Sequence, residues 1–122
     1  IRPGASGSSP KSLIVFAGKL YFSANNGTSG DELWSYDGTT VALAADIVSG
    51  TGSSFPGAFA ILGAKLYFSA TTPANGDELW SFNGTTAILE ADIRTGTASS
   101  TPQQLFVYAS KIYFNAKPTS IL

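Results

Sequence analysis

Eight carboxylates carry most of the chemistry open to this chain, and four of them form two adjacent pairs, Asp31-Glu32 and Asp77-Glu78. Carboxylate oxygens bind hard cations such as calcium. The loop before the first pair adds the side-chain oxygens of Asn25 and Asn26 together with backbone carbonyls. The loop before the second pair, TTPANGD over 71–77, lacks both asparagines. On a plainer reading Asp31 closes the loop turn and Glu32 begins a strand. Asp31, Glu32, Asp77 and Glu78 are thus the candidate metal ligands. The expectation is that no metal or cofactor is needed, calcium being the ion this donor set would suit.

Paired carboxylates also hydrolyse glycosides, but they must then flank a single bond. Neighbours in a strand point to opposite faces, so a working pair would have to form between units. The chain has no histidine and no cysteine. Nucleophilic triads and most transition-metal sites are therefore excluded within it. Serines are plentiful, but none stands in a nucleophile-elbow setting beside a possible base. The expectation is a non-catalytic segment.

Trp34 and Trp80 occupy the same place in two copies of one motif. Their flat apolar faces and polar N–H handles suit sugar stacking, which makes them the candidate ligand-binding residues. Each also lies mid-strand beside a leucine, where packing against a neighbouring sheet is the simpler role. Asn26 and Asn83 each begin an N-G-T glycosylation pattern, relevant only in a eukaryotic secretory pathway. Asn83 has a second reason to be asparagine, since it opens a turn. Asp46 and Asp92 end equivalent Ala-Asp-Ile steps and are expected to bond backbone N–H groups in the linkers.

The carboxylate pairs, the tryptophans and the Ala-Asp-Ile steps recur because the chain repeats with a period of 46 and no gap. Ile1, Ile47 and Ile93 share one phase, Pro10, Pro56 and Pro102 a second, and Lys19, Lys65 and Lys111 a third. Between 1–46 and 47–92, 22 of 46 positions are identical, including KLYFSA and GDELWS. Residues 93–122 make a partial third unit with no counterpart to GDELW. A fixed period of this size marks units that bury their faces against their neighbours.

Each full unit reads as four strands. In the first they are Ser12–Ala17, Lys19–Ala24, Glu32–Tyr36 and Thr39–Ile47. A tight link at Ala17-Gly18 joins the first two, and the Gly-rich loop from Asn25 to Asp31 leads to the third. Asp37-Gly38 and Asn83-Gly84 predict two-residue type I′ hairpins. In KLYFSA and ELWSY both strand parities carry apolar or aromatic residues, as expected of a sheet covered on both sides. No segment shows capped helical periodicity.

The expected fold is therefore all-β, a β-propeller segment of 46-residue four-stranded antiparallel blades, about two and a half of them in this chain. A β-solenoid or a sandwich is the competitor. Solenoid strands are parallel and have less need of hairpin turns. A propeller closes with about four to eight blades, so this chain would not close alone. The third blade would hold its first two strands only and leave a bare sheet edge. Either the rest of a larger propeller or a partner chain is expected to complete it, the former being favoured. Two copies of the chain cannot supply each other's missing third and fourth strands.

The segments GDELWSYDGTT (30–40) and GDELWSFNGTT (76–86) resemble the ELWxxDGT repeat of large secreted or surface-exposed bacterial proteins. KLYFSA resembles that family's Leu-Tyr-Phe-x-Ala strand, and SSP at 8–10 resembles its linker. The resemblance covers nearly the whole chain. It implies propeller-like repeats and leaves the biochemical function open.

Composition narrows the partners. Hydrophobic residues make up 43% and charged residues 12%, with a net charge of −1. The seven cations are scattered singly, so neither nucleic acid nor an anionic membrane surface is an expected partner. No apolar run is long enough to span a bilayer, and no membrane insertion is expected. Without cysteine there are no disulfides. Low charge, abundant Ser, Thr and Gly, and freedom from oxidisable Cys and Met suit an extracellular or cell-surface setting. The function expected there is a structural or adhesive module that presents loops to a protein or glycan. The alternatives are a carbohydrate-binding lectin with one site per blade and a non-catalytic segment of a larger secreted enzyme.

Overall fold

The computed structural model describes residues 1–118; residues 119–122, the end of the third unit as read from the sequence, lie outside the described residues. The described residues are all β. The ten strands are β1 (Lys11–Phe16), β2 (Lys19–Asn25), β3 (Asp31–Tyr36), β4 (Val41–Ala45), β5 (Gly57–Leu62), β6 (Lys65–Thr72), β7 (Gly76–Phe82), β8 (Ala87–Ala91), β9 (Gln103–Tyr108) and β10 (Lys111–Asn115). They form three sheets in the orders β1-β2-β3-β4, β5-β6-β7-β8 and β10-β9. Every pairing is antiparallel, which removes the parallel-coiled solenoid. The described residues do not close a ring.

Register is reproduced from sheet to sheet. Leu20↔Tyr36, Phe22↔Trp34 and Ala24↔Glu32 in the first sheet correspond to Leu66↔Phe82, Phe68↔Trp80 and Ala70↔Glu78 in the second. Alternation then puts Leu20, Phe22, Trp34 and Tyr36 on one face of the first sheet, and Tyr21, Ser23 and Leu33 on the other. The same alternation in the second sheet puts Leu66, Phe68, Trp80 and Phe82 on the face that meets the first.

The core lies between these two sheets. Phe16, Tyr21 and Leu33 of the first pack with Leu66, Phe68, Ala70 and Phe82 of the second. The Tyr21 ring centroid lies 5.7 Å from that of Phe16 and 5.6 Å from that of Phe82, both tilted, the geometry aromatic quadrupoles prefer. Each large side chain buried here contributes about 1.5–3 kcal/mol, so the seam holds the stack more firmly than any one hydrogen bond. The third sheet packs on the opposite face of the second, through β9 on β5 and β6 and through β10 on β5. The second sheet is thus covered on both sides, as its two-parity apolar pattern predicts.

The hairpins divide differently from the sequence expectation. Ala17-Gly18 is a true two-residue turn, with φ of +49° and +76°. Asp37-Gly38 is not. Tyr36 pairs with Val41, so the connection is the four residues 37–40. Within it Asp37 Oδ1 accepts the N–H groups of Thr39 (2.9 Å) and Thr40 (2.7 Å). Asn83 does the same with Thr85 (2.9 Å) and Thr86 (2.8 Å). The side-chain oxygen supplies the turn, which is why Asp and Asn interchange there. It also shortens β4 to Val41–Ala45, because Thr39 and Thr40 have given their N–H groups to Asp37.

Candidate functional site

The junction between GDEL and the next linker gathers the most polar chemistry. It begins at Gly30, which sits at φ +69° directly beneath the linker. A Cβ placed there would lie 2.0 Å from the Gly52 carbonyl oxygen. Gly76 repeats the arrangement, with 2.7 Å to the Ala98 carbonyl oxygen. Glycine lets the two backbones touch, and the contact delivers a row of linker donors to the carboxylates.

Glu32 is fully buried and receives them. Its Oε2 accepts the Ile47 N–H at 2.8 Å and the Ser54 hydroxyl at 2.6 Å. Its Oε1 accepts the N–H groups of Val48 at 3.3 Å and Ser54 at 3.1 Å. Glu78 is buried equally and takes the Ile93 N–H (2.8 Å), the Ser100 N–H (2.9 Å) and the Ser100 hydroxyl (2.6 Å). Burial pushes the Glu32 carboxyl above its ordinary pKa, against the Ser54, Ile47 and Val48 bonds that pull it down. Burial likewise raises Asp77, and the neighbouring Glu78 charge adds to it.

Ser54 carries the connection onward. Its N–H also reaches the Asp31 carbonyl (2.9 Å), while its own carbonyl accepts the Thr71 N–H of the second sheet (2.8 Å). Ser100 joins the second sheet to the third in the same way, through Asp77 (3.0 Å) and Lys117 (2.7 Å). The preceding serines, Ser53 and Ser99, accept the N–H groups of Asp31 and Asp77 at 2.9 Å. Two buried glutamates thereby tie each four-stranded sheet to the one that follows.

The sequence-predicted residues do not all converge here. Glu32 and Glu78 turn into the linkers, and the other member of each pair stays beside its loop. Asn25 Nδ2 lies 3.4 Å from Asp31 Oδ2, while Asn25 Oδ1 accepts the Gly27 N–H at 2.7 Å. Asn26 Oδ1 is taken up by the N–H groups of Thr28 (2.9 Å) and Ser29 (2.7 Å). The linker donors expected on Asp46 and Asp92 go instead to Glu32 and Glu78. Asp46 is exposed, and Asp92 Oδ2 meets the Asn75 side chain at 3.3 Å.

Trp34 is buried against Phe22 and Ala24, and Trp80 is half-buried on the main core. Both indole N–H groups are buried with no hydrogen-bond partner among the described residues. Asn83 is exposed at its turn, and Asn26 is half-buried within its loop.

Sequence reasoning missed the burial of Glu32 and Glu78, because a carboxylate at a strand start reads as solvated. The Ser-Ser-x-Pro linker that recurs one period apart was the available sign of a partner. The outer face of the first sheet also holds an apolar groove of about 250 Å³, lined by Leu13, Leu20, Phe22, Tyr36 and Val41 among others. Comparison with known protein families, characterised proteins and solved structures finds no match.

Proposed function

We propose that this chain is a non-catalytic repeat module of β-propeller type that serves as a structural or adhesive scaffold outside the cell or on its surface. The observation that carries the reading is the state of Glu32 and Glu78. The carboxylates best suited by type to catalysis or metal binding have their lone pairs filled by linker donors, so their work is to hold sheet to sheet. Polar loops on a rigid stack remain accessible, chiefly 26–29, 37–40, 73–75 and 83–86. Such loops, positioned by a scaffold, are where binding concentrates. The three stacked antiparallel sheets and the ELWxxDGT-like motifs support blades of a propeller, completed by further blades of its own or by a partner chain.

A glycan array probed in parallel with Trp34→Phe and Trp80→Phe variants tests the reading. Any glycan or protein binding should survive both substitutions and be lost when loop 26–29 is replaced by Gly/Ser. Saccharide binding that quenches tryptophan fluorescence and vanishes in Trp80→Phe would instead establish the lectin alternative.

A further inference from the structure

Asparagine followed by glycine carries a latent reaction of its own. The glycine nitrogen can add to the asparagine carboxamide, because no Cβ hinders it and the two groups are already neighbours in the chain. Three such steps occur here, Asn26-Gly27, Asn75-Gly76 and Asn83-Gly84. The fold treats them unequally. At the first, both partners are engaged. The Gly27 N–H is given to Asn25 Oδ1 at 2.7 Å, while Asn26 Oδ1 accepts from Thr28 and Ser29 and its Nδ2 donates to Ser29 Oγ at 3.3 Å. At the second, Gly76 is buried beneath the linker, and the Asn75 side chain is tied to Thr72 and, at 3.3 Å, to Asp92 Oδ2.

The third step is open. Asn83 and Gly84 are both exposed, and apart from chain neighbours nothing lies within 4 Å of a Cβ placed on Gly84. Among the described residues neither the Gly84 N–H nor Asn83 Nδ2 makes a hydrogen bond. Asn83 Oδ1, by contrast, accepts the N–H groups of Thr85 (2.9 Å) and Thr86 (2.8 Å). Those donors face the oxygen on which negative charge develops when a nucleophile adds to the carboxamide carbon. One period earlier Asp37 Oδ1 accepts the same two donors, from Thr39 and Thr40, at 2.9 and 2.7 Å. The turn therefore already exists in a form in which a carboxylate serves.

We propose that Asn83 is a self-modification site, at which the turn converts its own asparagine to an acid with water as the only co-reactant. The Gly84 nitrogen forms a bond to Asn83 Cγ, and the Cγ–Nδ2 bond breaks. Nδ2 leaves as ammonia with the proton that the Gly84 nitrogen gives up, and a succinimide ring remains. Water then opens the ring at either carbonyl. Cleavage at Cγ gives aspartate in an unaltered backbone, and cleavage at the other carbonyl gives isoaspartate, with the chain running through the side-chain carbons. Both products place a negative charge on loop 83–86, so the loop grows more acidic as the protein ages. The reaction does not depend on what the loops bind.

Peptide mapping by mass spectrometry on the full chain, aged in mildly alkaline buffer, follows each amide separately. Acid replacing amide is read from mass, and isoaspartate from its separate elution. Asn83 should lose its amide at least about tenfold faster than Asn26 or Asn75, which react only from locally opened states. In a parallel sample unfolded in guanidinium chloride the three rates should draw together, because the Asn-Gly step is the same in each. Gly84→Ala sets a methyl beside the attacking nitrogen without meeting a neighbour, and should slow the reaction at Asn83 about tenfold. Circular dichroism checks that this variant keeps its fold. The proposal fails if folded Asn83 keeps its amide while the unfolded chain loses its own. It fails equally if Asn26 or Asn75 converts as fast in the folded chain, or if Gly84→Ala leaves the rate unchanged.

Discussion

Glu32 meets donors only, three backbone N–H groups and one hydroxyl, and this fixes what a substitution does there. Glutamine keeps the shape but turns an NH₂ group toward N–H groups that then lose their acceptor. An unsatisfied buried donor costs about 1–3 kcal/mol. Glu32→Gln should therefore lower unfolding stability by about 2–4 kcal/mol in urea titration. Glu78→Gln should cost a similar amount. A variant that keeps full stability would mean that these carboxylates serve a ligand rather than the linkers. Asp37 behaves differently because it lies on the surface. The Thr40 and then the Thr39 N–H hold its carboxyl below the ordinary aspartate pKa. A depressed carboxylate stabilises the fold above its unfolded pKa and loses that contribution as pH falls through its folded value. Asp37→Asn places the Asn83 solution in the first turn, so the fall in stability below about pH 4 should become shallower. It should not vanish, since Lys65 and then Ser81 also depress Glu90. Glu32 was hard to read from sequence for a physical reason: its partners lie 15 to 22 residues away and converge only when the linker folds over Gly30. Asp37 was read correctly as a turn residue but with the wrong turn, because its side chain accepts the Thr39 and Thr40 N–H groups while its own N–H reaches the Thr40 carbonyl at 3.3 Å, which makes a four-residue bend.

The strands were legible because alternation and β-formers act locally, and β2, β3, β6 and β7 fall within a residue or two of their expected limits. The linkers were not legible. They have no periodicity, and their path is set by close backbone contacts that composition does not reveal. Gly30 and Gly76 make those contacts, which gives a test at the level of the β3 and β7 junctions. At Gly76 an added methyl would meet the Ala98 carbonyl oxygen at 2.7 Å and the Ser99 nitrogen at 2.9 Å, in a left-handed backbone. Neither neighbour can yield without breaking the Ser99 and Ser100 bonds to Asp77 and Glu78. Gly76→Ala should thus cost more than about 3 kcal/mol, combining backbone strain with lost linker bonds. Gly18→Ala is the control, since its φ of +76° is similar but nothing lies within 4 Å of the added methyl. That change should cost only about 1 kcal/mol, the strain of the left-handed region alone. Equal losses at the two positions, measured by chemical denaturation, would show that the linker does not press on Gly76.

In a stack whose sheets touch only their neighbours, stability is a sum of sheet terms and seam terms, so the middle of the stack should open last. The second sheet has a neighbouring sheet on each side and two glutamate ties, whereas among the described residues the two-stranded β9–β10 sheet has one neighbouring sheet and one tie. Amide exchange should accordingly be slowest in β6 and β7, intermediate in β2 and β3, and fastest in β9 and β10. Tyr21 tests whether the first seam transmits this order. Its ring lies between Phe16 and Phe82, and removing it leaves a void in the main core without touching either glutamate tie. Tyr21→Ala should cost about 3–5 kcal/mol, as deletion of a buried aromatic does. Exchange should then quicken on both sides of the seam, in β2, β6 and β7 together, while β9 and β10 keep their rates because their contacts lie on the far face of the second sheet. If only β2 quickened, each sheet would be stable by itself and the stack a mere string of independent units. If all ten strands quickened equally, the three sheets would unfold as one cooperative body, with coupling passing through the second sheet as well as across the seam.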